Sequence, residues 1–167
     1  TTANPSNDNM RLAAGYGKYF MSFGTGLFMQ NIDGLIEVYL PYHVSILAID
    51  QNGEQLWKSK LPDDLDIGGI TPMADGGCIA SAFNAYGYPQ YASDYIFFFR
   101  YNKEGIMISN DSVQWPQSFF PNSPFAMANT NDGRMIILGS SGRGFLGEYE
   151  PGSGFLWDKL FNLDPLS

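Results

Sequence analysis

The 167-residue chain sets 17 Asp and Glu against 9 Lys and Arg, a formal net charge of −8. That balance argues against nucleic acid as a partner, because a phosphate backbone needs clustered cations. No run of 18 apolar residues occurs, so no transmembrane segment is expected, and the single cysteine, Cys78, leaves no disulfide to form within the chain.

Hydrophobic residues make up 44% and aromatics 16%, with 19 Gly and 10 Pro. No long stretch carries amphipathic-helix spacing, so an all-β, turn-rich domain is expected. The chain begins with Asn7-Asp8-Asn9 leading into Met10-Arg11-Leu12-Ala13-Ala14-Gly15. The same figure, a polar turn and then a short apolar run ending in small residues, returns at Ala74-Asp75-Gly76-Gly77-Cys78-Ile79-Ala80. It returns again at Asn131-Asp132-Gly133-Arg134-Met135-Ile136-Ile137. The aspartates Asp8, Asp75 and Asp132 stand 67 and 57 positions apart. Repetition near that period points to stacked copies of one β unit.

In each unit the pattern reads as four strands, a to d, with the Asp-Gly pair between a and b. Unit one then places b near 10–15, with a drawn from the first few residues, which are a poor strand by composition. The stretch from Tyr16 to His43 follows, holding Phe20-Met21-Ser22-Phe23 and the 35–40 segment as an extra hairpin. On that reading Phe20, Phe23, Phe28 and Tyr39 are core. Strands c near 44–50 and d near 54–60 flank Asn52-Gly53, the strongest short-range hairpin signal, expected in a primed turn. The acidic loop Asp63-Asp64-Leu65-Asp66 has oxygen ligands for a hard cation but lacks the glycine and closing glutamate of an EF-hand loop. It is read as a solvated loop.

Unit two places its strands near 67–73, 77–83, 95–101 and 105–109, and unit three near 124–130, 134–139, 144–149 and 154–161. Cys78 falls in a strand and reads as a small buried hydrophobe. His43, the only histidine, reads as an ordinary loop residue, since a metal site built on it needs partners from elsewhere. Trp57 and Trp157 take equivalent places on strand d and are expected to pack between units.

Four antiparallel strands per repeat, stacked radially, describe a β-propeller blade. The sequence resembles the quinoprotein-like (PQQ-type) β-propeller repeats, in which an apolar strand leads to Asp-x-x-Gly-x-x-x-Trp. Asp50, Gly53 and Trp57 carry that pattern, and Trp157 keeps part of it. The resemblance implies a propeller-like stack of three four-stranded blades, with the extra hairpin in the first. The blades span roughly 1–61, 62–116 and 117–167. Enzymes of that family bind a quinone with a metal ion. This chain offers no ligand set for either, so no cofactor and no metal are expected. Three blades are also fewer than the four to eight that usually close a ring. Either a homodimer completes a six-bladed ring or further blades belong to a longer chain.

Alternating strand directions put the a–b and c–d turns at one rim and the b–c and d–a connections at the other. The second rim gathers the long, aromatic connections, Tyr16 to His43, Leu61 to Asp66, Asn84 to Ser93 and Asn110 to Ser123. Binding residues concentrate on loops held by a rigid scaffold, and Tyr and Trp supply rigid contact area with a polar tip. Tyr42, Tyr86, Tyr88, Tyr91, Trp115 and Arg143 are therefore the expected ligand contacts. Tyr16, Tyr19 and Phe20 also fall on that rim in this reading. No nucleophile elbow and no phosphate-binding motif occur. A non-catalytic binding module for a glycan or protein is expected. The alternatives are a glycoside hydrolase or lyase with paired carboxylates, or a structural blade set of a larger assembly. The chain lacks both an initiating Met and a leader-like segment, and it is read as an exported bacterial protein, periplasmic or at the cell surface.

Overall fold

The computed structural model describes residues 10–25, 28–29, 38–39, 43–63, 65–84, 95–114, 126–140 and 143–162. These residues form strands and turns, with no helix among them. The chain opens with β1 (Arg11–Gly15) and β2 (Lys18–Thr25). A short pair, β3 (Phe28–Met29) and β4 (Val38–Tyr39), then makes a two-stranded sheet of its own. With β5 (His43–Asp50) and β6 (Gln55–Lys60) the first sheet is complete, in the order β1-β2-β5-β6. The second sheet runs β7 (Leu65–Pro72), β8 (Cys78–Asn84), β9 (Tyr95–Tyr101) and β10 (Met107–Gln114). The third runs β11 (Ala126–Asn129), β12 (Met135–Ser140), β13 (Arg143–Glu150) and β14 (Gly154–Asn162). Every pairing is antiparallel.

The first sheet corrects the expected register. Residues 11–15 form its first strand, not its second, and Lys18–Thr25 is the second. The turn between them is Tyr16-Gly17, closed by the pairing of Gly15 with Lys18, with φ of 53° and 73° at its two residues. Two positive φ values in a two-residue loop are the signature of a type I′ hairpin. Tyrosine is an uncommon occupant of that region, which is why Asp8 looked like the better turn. Measured from Gly17, the left-handed glycines Gly17, Gly76 and Gly133 recur after 59 and 57 residues, a tighter repeat than the aspartates showed.

The other hairpins are built differently from the primed turn expected at Asn52-Gly53. Asn52 has no positive φ; Gly53 alone does, at 87°. Its N–H donates to the Asp50 carbonyl (3.2 Å), and the Asp50 carboxylate accepts from the backbone N–H of Asn52 (2.8 Å) and Glu54 (2.9 Å). Asn102 repeats the device, accepting from Glu104 (3.1 Å) and Ile106 (2.9 Å). Short Asx side chains hold such turns because they mimic a backbone acceptor. All three hairpins that end in β6, β10 and β14 also carry a bulge at the same step, after Ala48, at Met107 and after Glu148.

Alternation along the strands stacks the sheets face to face. In β5 the residues Val44, Ile46 and Ala48 are buried while their neighbours are half-exposed, so one face of the first sheet is apolar. That face, with Phe20, Trp57 and Leu61, packs on Ile70, Cys78, Ala80, Phe99 and Tyr101 of the second sheet. The opposite face of the second sheet, with Ile79, Ile96 and Phe98, packs on Met135, Ile137, Phe145 and Tyr149 of the third. Phe98 stacks on Tyr149 at 4.2 Å between centroids, a contact worth about 1 kcal/mol beyond the area it buries. Cys78 is fully buried, as expected of a small hydrophobe, and burial pushes its thiol pKa up to about 12. Trp57 lies between sheets as expected. Trp157 does not: it is 38% exposed on the outward face of the third sheet, where no described sheet covers it.

Candidate functional site

Two regions of the stack gather polar or aromatic chemistry. The first is a cleft of about 650 Å³ where β1, β7 and β11, the first strands of the three sheets, lie side by side. Small residues create it: Ala13, Ala14 and Gly15 on β1, Gly69 on β7, Ala126 and Ala128 on β11. Gly15 marks the closest approach, since a Cβ there would lie 2.9 Å from Pro72 Cβ. Larger apolar side chains, Leu12, Ile70 and Met127, complete the walls.

Arg11, Tyr16, Thr71 and Asn129 supply side-chain polarity. Arg11 Nε donates to the Gly68 carbonyl at 3.1 Å, and Nη1 donates to Met10 at 3.3 Å. Its Nη2 is buried without a protein partner. Asn129 Nδ2 donates to the Pro72 carbonyl, and its Oδ1 is likewise buried and unpartnered. The cleft therefore offers one cationic donor and one amide acceptor, enough to orient a polar group. Its lining residues include no Asp, Glu, His or Cys, and the Tyr16 phenol is the one titratable group there besides Arg11.

The second region is the rim opposite the hairpin turns. The sheet topology puts the turns at 16–17, 51–54, 74–77, 102–106, 131–134 and 151–153 on one rim. The connections between β2 and β5, β8 and β9, β10 and β11 leave from the other. Tyr42, Tyr86, Tyr88, Tyr91 and Trp115 lie outside the described residues. The strand ends that flank them, at His43, Asn84, Tyr95 and Gln114, all belong to this second rim. Arg143 opens β13 at the same rim, its backbone paired with Asn162. Topology thus brings the flanks of all six expected contacts to one rim.

Two other aromatics move away from it, and a third takes its expected place in the core. Tyr16 sits in the turn at the opposite rim, exposed. Tyr19 lies within β2 on the outward face of the first sheet, and Phe20 is fully buried in the core. Residues 110–114 also leave the expected loop, because β10 runs on to Gln114.

A group that residue-type reasoning passed over stands at the described edge of the rim. Asp63 Oδ1 lies 2.6 Å from both His43 Nδ1 and Lys60 Nζ. The hydrogen bond from Lys60 holds the Asp63 carboxyl below its ordinary pKa, with His43 assisting against the small cost of burial. A carboxylate engaged by two nitrogen donors is a poor ligand for Ca²⁺. Asp66, by contrast, accepts from the Ile67 N–H at 2.8 Å. Among the described residues no cluster of three metal-ligating side chains forms. The signal for the His43–Asp63 pair was in the topology: the first residue of β5 and the residues after β6 must meet at one rim.

The other perturbed carboxylates are lowered too. Asp50 is held down by the Glu54 N–H, Asp132 by Thr130, and Asp111 by the Tyr149 hydroxyl. At Asp75 burial pulls upward, and the Gly77 N–H with the Arg100 guanidinium, 2.8 Å away, outweighs it. No helix of the described residues is long and apolar enough to cross a membrane.

No family model matches the chain, and no curated protein matches it. Among solved structures, a crystal structure of a protein of unknown function from Bacteroides caccae is similar, with a TM-score of 0.52 and 12% identity over 92% of this chain. The match takes in 47% of that protein, so this chain spans about half its length. At that identity the likeness concerns the fold alone.

Proposed function

We propose that this chain is a non-catalytic binding module on a propeller-like stack, exported by a bacterium, which holds a glycan or a protein on its loop-bearing rim. The separation of rims carries the reading. Tight turns occupy one rim, and the long connections with Tyr42, Tyr86, Tyr88, Tyr91 and Trp115 leave from the other. Loops on a rigid scaffold are where contact residues collect, and Tyr and Trp dominate the energetics of such surfaces.

The propeller-like arrangement draws support from the first strands sharing one cleft while the sheets stack face to face. The carboxylates argue for binding over hydrolysis. A glycosidase needs an acid whose pKa is raised, whereas the resolved carboxylate shifts among the described residues all run downward.

A glycan array and a protein-binding array, each repeated with Tyr88→Ala and Tyr91→Ala, test the reading. The expected result is a specific ligand whose affinity falls at least about tenfold in one variant. A ligand held equally well by both variants, or no ligand at all, removes it.

A further inference from the structure

The geometry points to a second copy of this chain as the partner of the stack's two open faces, joined head to tail so that six sheets enclose a shared cleft. The inference stands apart from what the rim binds.

Strand pairing aligns the sheets position by position. Ala48 and Glu148 stand opposite Trp57 and Trp157, and Ile46, Phe98 and Leu146 stand opposite Ser59, Asp111 and Lys159. Where one sheet meets the next, side chains from the last strand of the earlier sheet cap the hairpin turn of the later one. The Trp57 indole covers Gly105, where a Cβ would lie 2.6 Å from the ring, and Ser59 donates to the Gly105 carbonyl. Asp111 repeats the contact, accepting from the Gly152 N–H at 3.0 Å and from the Tyr149 hydroxyl.

The third sheet carries the same outgoing groups with no described sheet to receive them. Trp157, Leu138 and Phe161 are 38%, 49% and 44% exposed, while Trp57, Ser22 and Leu61, their counterparts in the first sheet, are 7%, 0% and 1% exposed. The first sheet carries the receiving half, equally uncovered. Leu12 and Tyr19 are 70% and 45% exposed, against 7% and 0% for Ile70 and Cys78, which hold the same positions in the second sheet. Gly53 is the counterpart of Gly105, with φ of 87° and nothing within 4 Å of the place a Cβ would take. Soluble chains rarely leave continuous apolar faces open.

The two halves therefore match. Seating the third sheet of one copy on the first sheet of the other puts Trp157 over Gly53 and Ile49. It also brings Lys159 to the turn bearing Asp50 and Glu54, so the charges agree. Two-fold symmetry makes that contact twice and closes six sheets, within the range that closes a ring. The cleft beside β1 and β11 is then walled by the partner's first strands.

Sedimentation equilibrium of the 167-residue chain tests this, with a dimer expected. Trp157→Glu and Ile49→Arg should each raise the dimer dissociation constant about 30-fold or more. Circular dichroism and thermal melts report whether each variant keeps its fold, and Leu138→Glu, at an exposed position, replaces any that does not. Mixing the Trp157→Glu and Ile49→Arg chains should restore a dimer, since one contact stays native and the other gains an opposite-charge pair. A monomer at every concentration, a dimer unaffected by all three substitutions, or a mixture that stays monomeric each overturns the inference. The first of these outcomes would assign the open faces to further sheets of a longer chain.

Discussion

The indole of Trp57 occupies the space into which any side chain at Gly105 would have to project. A Cβ at Gly105 would fall 2.6 Å from the ring, and the residue also holds a φ of 80°. Gly105→Ala should therefore combine backbone strain with overpacking and cost about 2–4 kcal/mol. Gly133, at 88° with nothing within 4 Å, isolates the backbone part. Gly133→Ala should cost about 1 kcal/mol. Urea unfolding of the two variants measures the difference, and equal losses would mean that the indole yields.

Asp111 joins the second and third sheets by accepting from Tyr149 and Gly152. The Tyr149 hydrogen bond lowers its pKa from the ordinary 3.8, despite an opposing cost of burial. A carboxylate depressed in the folded state lends stability that is complete above its unfolded pKa and disappears as pH falls through the folded one. Asp111→Asn should lower the unfolding free energy by about 1–2 kcal/mol at pH 7. The gap between variant and parent should then narrow at acid pH. Guanidinium unfolding across the acid range reads this directly, and a constant gap would remove Asp111 from the linkage.

Cys78 is fully enclosed, and burial, with some help from the Asp75 charge, raises its thiol to about 12. The native protein should resist Ellman's reagent at pH 8, because the thiolate is both scarce and enclosed. Labelling should proceed at the rate of global opening and rise with denaturant. Rapid labelling of the folded protein would contradict the packing described.

Arg11 ties β1 to β7 through the Gly68 carbonyl, and Asn129 ties β11 to β7 through the Pro72 carbonyl. Arg11→Ala and Asn129→Ala should each cost about 1 kcal/mol. Losses in the double variant should add if the two ties act independently, and thermal or urea unfolding of the three proteins checks it. A large coupling would show that the cleft opens as one unit.

The legible parts of the fold were those where backbone geometry demands one residue type. Gly53, Gly76, Gly105 and Gly133 all take left-handed φ, and each sits in a turn the sequence marks with Asp or Asn nearby. The first turn was missed because Tyr16 fills a left-handed position without that mark, shifting the first unit by one strand. Trp157 was misplaced for another reason. Its spacing from the turn is that of Trp57, but burial depends on a following sheet, which local sequence does not record. The candidate rim was legible only as topology. Tyr42, Tyr86, Tyr88, Tyr91 and Trp115 fall outside the described residues, while the His43–Asp63 pair depends on two strand ends meeting across 20 positions of sequence. The cleft left no motif, since its lining comes from three strands far apart in sequence.

The Trp57–Gly105 contact also gives the stack a direction. Each sheet presents an indole, hydroxyl or carboxylate on one side and a turn to be capped on the other, much as roof tiles overlap in a single sense. Turning a sheet over would set protruding rings against each other with no hollow beneath either. Growth by addition therefore preserves an arrow, and two third sheets meeting back to back would find no fit.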